Sequence, residues 1–268
     1  MTDILPLSEA ALRAGFFLGI FAAMAGWEAL APLRQQAVPR ALRWGNNLAL
    51  VALDSVIVRL VFPVTAVSFA ALASERDWGL LGALDLPFWP ALILALLLLD
   101  LIIYFQHRLF HAVPLLWRLH RVHHADTEFD VTTALRFHPV EMLVSMAIKL
   151  AAIAALGVPA LAVLIFEIVL NGAAMFNHAN VALPARAERV LRLFVVTPDM
   201  HRIHHSTRRE EMNCNFGFNL PWWDRLLGSY CPRAQCDQRE MLIGLDQLRA
   251  HRELWLGPML LQPLRDEL

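Results

Sequence analysis

Eleven histidines stand in this chain of 268 residues, and ten of them fall between positions 107 and 205. They run His107-x-x-x-His111, His120-x-x-His123-His124, His138, His178 and His201-x-x-His204-His205. Imidazole is a ligand for zinc, copper, iron and nickel, so a set this dense is read first as metal chemistry. Residues three or four apart on a helix share a face, so His107 and His111 can point at one site. The last two residues of an H-x-x-H-H triplet diverge by about 100° around a helix, which suits them to neighbouring ions. The two triplets with His107, His111 and His178 supply nine imidazoles, and His138 supplies a tenth. That is too many for one ion; it fits two ions with roughly four or five nitrogens each, leaving positions open for O2 or water. Structural zinc usually adds thiolates and closes at four ligands, and neither feature is apparent. His251, alone near the C-terminus, is expected to be structural or solvated.

Acids close to these histidines in sequence are Asp126, Glu128, Asp130, Glu141 and Asp199. A metal-bound imidazole usually donates its other ring N–H to a carboxylate or carbonyl, so some of these acids are expected to orient ligands. The alternative for each is a solvated face or a helix cap; Thr197-Pro198-Asp199 also looks like a helix start. Competing motifs are missing. Arg108 occupies the base position that H-E-x-x-H would need, and there is no Gly-rich phosphate loop, G-x-S-x-G elbow or nucleotide fingerprint. A flavin or nicotinamide site within the chain is therefore not expected, and electrons would come from a separate partner.

The elements that carry these residues are strongly apolar. Hydrophobic residues make up 57% of the chain against 18% charged, and the mean hydropathy is +0.48. Soluble domains usually hold about 45–50% apolar and about 25% charged residues, so the fold expected is an all-α integral membrane protein with four to five transmembrane or hairpin helices. Net charge is −1, so no basic field marks nucleic acid as a partner. Apolar runs of spanning length cover roughly residues 10–32, 47–73 and 86–106, each near the roughly 20 residues that a crossing helix needs. Asp54 and Arg59 interrupt the second run, five positions apart, so a shared face is open. A fourth stretch, 142–176, is divided by Gly157-Val158-Pro159, a turn signal, and reads as a hairpin that returns to the side it left. Histidines flank it, so an even number of crossings is what lets them meet.

Loop charges give an orientation. The 33–46 connection holds Arg34, Arg40 and Arg43 without an acid, whereas 74–87 holds Arg76 against Glu75, Asp77 and Asp85. Basic loops favour the cytoplasmic side, so the N-terminus is expected outside and the third span to exit into the cytoplasm near Gln106. Residues 107–141 and 177–268 then form a cytoplasmic helical cap holding the dimetal site, and the whole chain reads as one domain. The N-terminus lacks the basic segment of a secretory signal, so the first run is expected to be retained. Cys214, Cys231 and Cys236 form no C-x-x-C pair and read as reduced thiols. Trp222 and Trp223 either seat the cap at the membrane surface, where Trp is enriched, or pack within it.

In order along the chain stand Asp100-x-x-x-Tyr104-x-x-His107-Arg108-x-x-His111, Trp117-x-x-His120-x-x-His123-His124 and Thr132-Thr133-Ala-Leu-Arg136-Phe-His138-Pro139-x-Glu141. Phe176-x-His178, Thr197-Pro198-x-x-His201-x-x-His204-His205-Ser206, Asn213-x-Asn215-Phe216-Gly217 and Trp223-Asp224-Arg225-x-x-Gly228-x-Tyr230 follow. This succession, over roughly 100–230, resembles the fatty acid hydroxylase/sterol desaturase superfamily of membrane-bound di-iron oxygenases. The resemblance implies a four-helix membrane domain under a cytoplasmic cap, with two iron ions (Fe2+) between them and zinc as a possible substitute. It implies O2-dependent hydroxylation or desaturation of a lipid C–H bond, with hydroxylation favoured here. It further implies an external ferredoxin or cytochrome b5-like electron donor. The ligands and catalytic residues would be His107, His111, His120, His123, His124, His178, His201, His204 and His205, with His138 a further candidate. Some members carry a histidine pair where this chain offers only His178. The rival readings are a zinc-dependent membrane hydrolase or isomerase using metal-activated water, and a metal transporter. Transport ligands usually lie within the spans, whereas these histidines cluster at span ends.

Overall fold

The computed structural model describes residues 5–84 and 86–266. The extreme N-terminus (residues 1–4) and Asp85, both weighed above, lie outside them. Among the described residues helices are the main regular structure and no β-strand forms. The helices are α1 (Leu5–Leu30), α2 (Arg40–Val61), α3 (Ala66–Glu75), α4 (Leu80–Ala83), α5 (Phe88–Ala112), α6 (Pro114–His124) and α7 (Pro139–Leu156). Then come α8 (Ala160–Asn177), α9 (Ala185–Leu191), α10 (Pro198–His204), α11 (Arg209–Met212), α12 (Trp222–Leu226) and α13 (Leu256–Leu261).

Among the described residues, five stretches are long and apolar enough to cross a membrane: Glu9–Leu30, Arg40–Ala83, Phe88–Ala112, Pro139–Leu156 and Ala160–Asn177. At about 1.5 Å per residue, the 18-residue helices α7 and α8 are close to the roughly 30 Å thickness of a hydrocarbon core. Leu18, Leu60, Trp89 and Ile93 stand exposed on these helices, as apolar side chains facing lipid would. The expected 47–73 run is not one helix: α2 stops at Val61 and α3 begins at Ala66. Pro63 explains the break, because a proline pushes the residue before it out of helical conformation. Thr65 then starts α3 by accepting the Ser68 N–H at 3.0 Å. Asp54 is buried and Arg59 exposed, so those two charges face different surroundings.

The hairpin forms as the turn signal predicts. Gly157 ends α7 at φ +67, and a Cβ there would stand 2.3 Å from the Trp78 carbonyl oxygen. An L side chain at Gly157 meets both a strained backbone and a filled space. This seam lies at the end of the bundle opposite the histidines. In the bundle α1 packs on α8, α2 on α7, α3 across both α7 and α8, and α5 on α8. Ala70, Leu92, Leu99, Ile153 and Phe166 form its buried interior.

Buried ion pairs tie the histidine end together. Arg43 of α2 lies between Asp126, at 2.7 Å, and Asp130 in the segment after α6. Burial alone would raise the Asp130 carboxyl, but the Arg43 guanidinium and the Thr132 and Gln36 hydrogen bonds outweigh it and hold the group at about 2. Glu28, near the end of α1, accepts the backbone N–H groups of Val131 and Asn180 at 2.7 and 2.8 Å. These contacts join α1 and α2 to the two polar segments that follow α6 and α8.

Candidate metal centre

Four chain segments bring the histidines together. α5 runs unbroken to Ala112 and carries His107 and His111 on its last turns; Pro114 then opens α6, where proline is tolerated. α6 presents His120, His123 and His124, His178 caps the C-terminus of α8, and α10 presents His201 and His204 with His205 as its cap. The Thr197 hydroxyl starts α10 by accepting the Met200 N–H.

The nine imidazoles divide into two groups. His107, His111, His120, His124 and His204 form one; His123, His178, His201 and His205 form the other. Within each group the candidate ligand nitrogens lie within 4.8 Å of one another. Adjacent members of each triplet fall into different groups: His123 apart from His124, and His204 apart from His205. The group containing His178 has the smaller number of imidazoles. His138 belongs to neither. Its Nδ1 accepts the Val140 N–H at 3.2 Å as the cap of α7, and its Nε2 faces the Leu260 carbonyl at 3.3 Å.

Hydrogen bonding shows that the first group fits a cation. His107 Nδ1 lies 2.8 Å from the Phe216 carbonyl oxygen, and His204 Nδ1 lies 2.8 Å from that of Cys214. A carbonyl only accepts, so both Nδ1 atoms carry the proton and both Nε2 atoms carry lone pairs. Those two Nε2 atoms face each other at 3.0 Å, a repulsive arrangement unless a positive charge is shared between them. A proton is disfavoured there, since burial drives His204 well below the ordinary histidine value. A metal ion is the species that such a donor set accommodates. His120 and His178 are fixed likewise, through Nδ1 to Glu141 Oε1 at 2.7 Å and to the Ala174 carbonyl at 2.7 Å. Burial pushes His120 and His178 down to about 3, so both are neutral imidazoles at physiological pH. The Nε2 atoms of His111 and His120 and both ring nitrogens of His124 and His205 are buried without a partner. Buried polar atoms are normally satisfied; here one nitrogen of each ring could serve as a ligand atom.

Of the five acids among which some ligand orienters are expected, Glu141 is one. Asp126 and Asp130 hold Arg43, Glu128 accepts the Ala37 N–H at 2.8 Å, and Asp199 pairs with Arg202 at 3.0 Å. The carbonyls of Phe216 and Cys214 were not foreseen as holders of histidines. Their loop is fixed by Asp224, whose carboxylate accepts the Phe216 and Gly217 N–H groups at 2.8 Å each. The Asn215-Phe216-Gly217 and Trp223-Asp224 motifs were the visible signal, without the role. Trp223 donates to Asp100 at 2.7 Å and Trp222 to the Leu193 carbonyl at 2.7 Å, so both indoles are bonded within the protein, with Trp222 still partly exposed.

A cavity of about 160 Å³ opens beside the first group, with His107 and His120 in its wall, and extends between α5, α7 and α8. Phe110, Phe137, Leu170 and Phe218 give it apolar sides. Each of the two all-imidazole groups could hold a metal ion, and the first borders a space with apolar sides.

Comparison with known proteins follows the same residues. A stretch of 150 residues is 33% identical to an ornithine lipid hydroxylase of Rhizobium tropici, covering 53% of this chain and 44% of that protein. An alkylglycerol monooxygenase of Danio rerio is 27% identical over 69% of this chain and 40% of its own length. Human cholesterol 25-hydroxylase is 29% identical over 64% of this chain and 62% of its own length. The chain thus spans less than half the length of the first two relatives. No solved structure matches the chain significantly. The fatty acid hydroxylase model matches residues 92–229, just over half of the 268 residues and the whole of both histidine groups, and the chain belongs to that family.

Proposed function

We propose that this chain is a multi-pass membrane oxygenase that hydroxylates a lipid C–H bond with O2 at two histidine-held iron ions. The observation that carries the reading is the pair of adjoining all-imidazole groups, the first of which borders a cavity with Phe-lined sides between the membrane helices. Oxidising an unactivated C–H bond needs a redox-active ion, and zinc has no redox chemistry, although it can occupy the same imidazoles. When bound, the metals supply O2 activation; the balance is one O2, two electrons and two protons in, and the alcohol and one water out. His107, His111, His120, His124 and His204 would hold one ion, and His123, His178, His201 and His205 the other. Phe216, Cys214, Ala174 and Glu141 keep the rings oriented. Phe110, Phe137 and Phe218 exclude water from the space where the alkyl group lies. Electrons would arrive from a ferredoxin or cytochrome b5-like donor, since the sequence carries no flavin or nicotinamide fingerprint. The Arg34 and Arg40 connection lies at the histidine end of the bundle, which supports a cytoplasmic placement of the site.

The test is anaerobic purification in detergent, metal analysis, and turnover of a membrane lipid extract with a chemical reductant and isotopically labelled O2. About two irons per chain and a lipid product carrying one labelled oxygen are expected. A desaturated product without label would move the reaction to the sister outcome. A product formed without O2 and carrying no label, at tightly held zinc, would overturn the reading in favour of a hydrolase.

A further inference from the structure

The cavity beneath the histidines is polar along one wall. Glu141, Ser145 and Lys149 recur every four residues on α7 and so share one face of that helix, and all three line the cavity. At about 1.5 Å per residue, Ser145 lies roughly 6 Å and Lys149 roughly 12 Å below Glu141, which bonds to His120. Each is met by a polar group of another helix. Gln106 Nε2 donates to Ser145 Oγ at 3.0 Å, and Lys149 Nζ donates to Glu167 Oε1 at 2.6 Å. Polar groups this deep among membrane helices are costly and mark functional positions.

Two details define what the stripe would take. The charges close on themselves: Glu167 also pairs with Arg13 at 2.7 Å, and Arg13 with Glu9 at 3.2 Å. Two carboxylates against two cations leave no surplus charge to hold an anionic ligand. Gln106 Oε1, by contrast, is buried without a partner and needs a hydrogen-bond donor. Lys149 has three N–H donors and Glu167 uses one of them. A neutral group that both donates and accepts meets these demands.

From this geometry we infer that Gln106, Ser145 and Lys149 form a specificity subsite for a hydroxyl group on an otherwise aliphatic lipid. The hydroxyl donates to Gln106 Oε1 and accepts from Lys149. The carbon chain then runs up the apolar wall, and the distance from subsite to histidines selects the carbon that is presented. A span of roughly 6–12 Å, measured from Ser145 or from Lys149, corresponds to about five to ten carbons, each advancing a little less than the roughly 1.5 Å of a C–C bond. The inference deepens the oxygenase reading and rests on it for the placement of the chain.

The test is competition binding to the metal-loaded, full-length protein in lipid nanodiscs. Tritium-labelled hexadecan-1-ol is the tracer; unlabelled hexadecan-1-ol, its methyl ether and hexadecanoate are the competitors. The alcohol should compete about tenfold better than the ether, which cannot satisfy the buried acceptor. Ser145→Ala, which frees the Gln106 amide, should bring the alcohol down to the level of the ether, and Lys149→Met should weaken alcohol and ether alike because both oxygens accept from Lys149; metal content should be unchanged in both variants. Equal competition by alcohol and ether, strongest competition by hexadecanoate, or no specific alcohol binding would overturn the subsite. So would unaltered alcohol affinity in both variants. Alcohol preference without O2-dependent turnover of any lipid would uphold the subsite and sink the oxygenase reading; turnover without that preference would do the reverse.

Discussion

Replacing Glu141 with leucine should weaken one metal site and spare the other. Glu141 Oε1 accepts from His120 Nδ1 at 2.7 Å, and both side chains are buried. Leucine leaves that N–H without an acceptor, at a cost of about 1–3 kcal/mol, and frees the ring to turn. Removing an orienting partner of this kind typically lowers metal affinity about 10–100-fold. His120 belongs with His107, His111, His124 and His204, and no member of the other group touches Glu141. The loss should therefore fall on one ion of the two. Glu141→Gln keeps an acceptor oxygen for the His120 N–H, so its effect should be the smaller. Metal content per chain, measured against a series of chelators of graded affinity, separates the two sites, and circular dichroism controls for folding. A leucine variant that binds both ions as the wild type does would refute the assigned role of Glu141. Equal weakening of both ions in a folded variant would refute the division into two groups.

Two further outcomes are expected. His138→Ala should keep the full metal content and lose only about 1 kcal/mol of stability, the usual worth of a helix N-cap, because His138 caps α7 and joins neither group; metal loss on titration would return it to the ligand set. The metal-free protein should lose thermal stability on acidification. His120 and His178 sit at about 3 when folded and near 6.5 otherwise, so the unfolded state binds more protons between those values. The associated stability is fully present above about 6.5 and is lost as pH falls toward 3. Asp130, held at about 2, stays ionised across that window. Melting curves from neutral pH down to about 4 test this, and a flat or rising melting temperature would contradict it.

Local order carries much of what the sequence alone determined. Histidine spacing, the Pro114 helix start and the Gly157-Val158-Pro159 turn act within a turn or two of helix, where a period of about 3.6 residues decides which side chains share a face. That is enough to read an all-helical protein of membrane character, to place the hairpin that returns the chain, and to expect adjacent members of each triplet to point at different ions. It is also enough to recognise the family. What only the tertiary structure decided depends on residues far apart in the chain. The partition into five and four imidazoles needs α5, α6, α8 and α10 packed together. Which nitrogen of His107 carries the proton is set by a carbonyl 109 residues away. Proximity in sequence made Asp126, Asp130 and Glu141 equal candidates; packing gave the first two to Arg43, 83 and 87 residues upstream, and left Glu141 to His120. The polar wall of the cavity is divided the same way, for the period of α7 aligns Ser145 with Lys149, but only packing against α5 and α8 supplies Gln106 and Glu167. Helical periodicity fixes directions around one axis, whereas contacts between axes follow from the burial of whole faces and are not encoded in any short window of sequence.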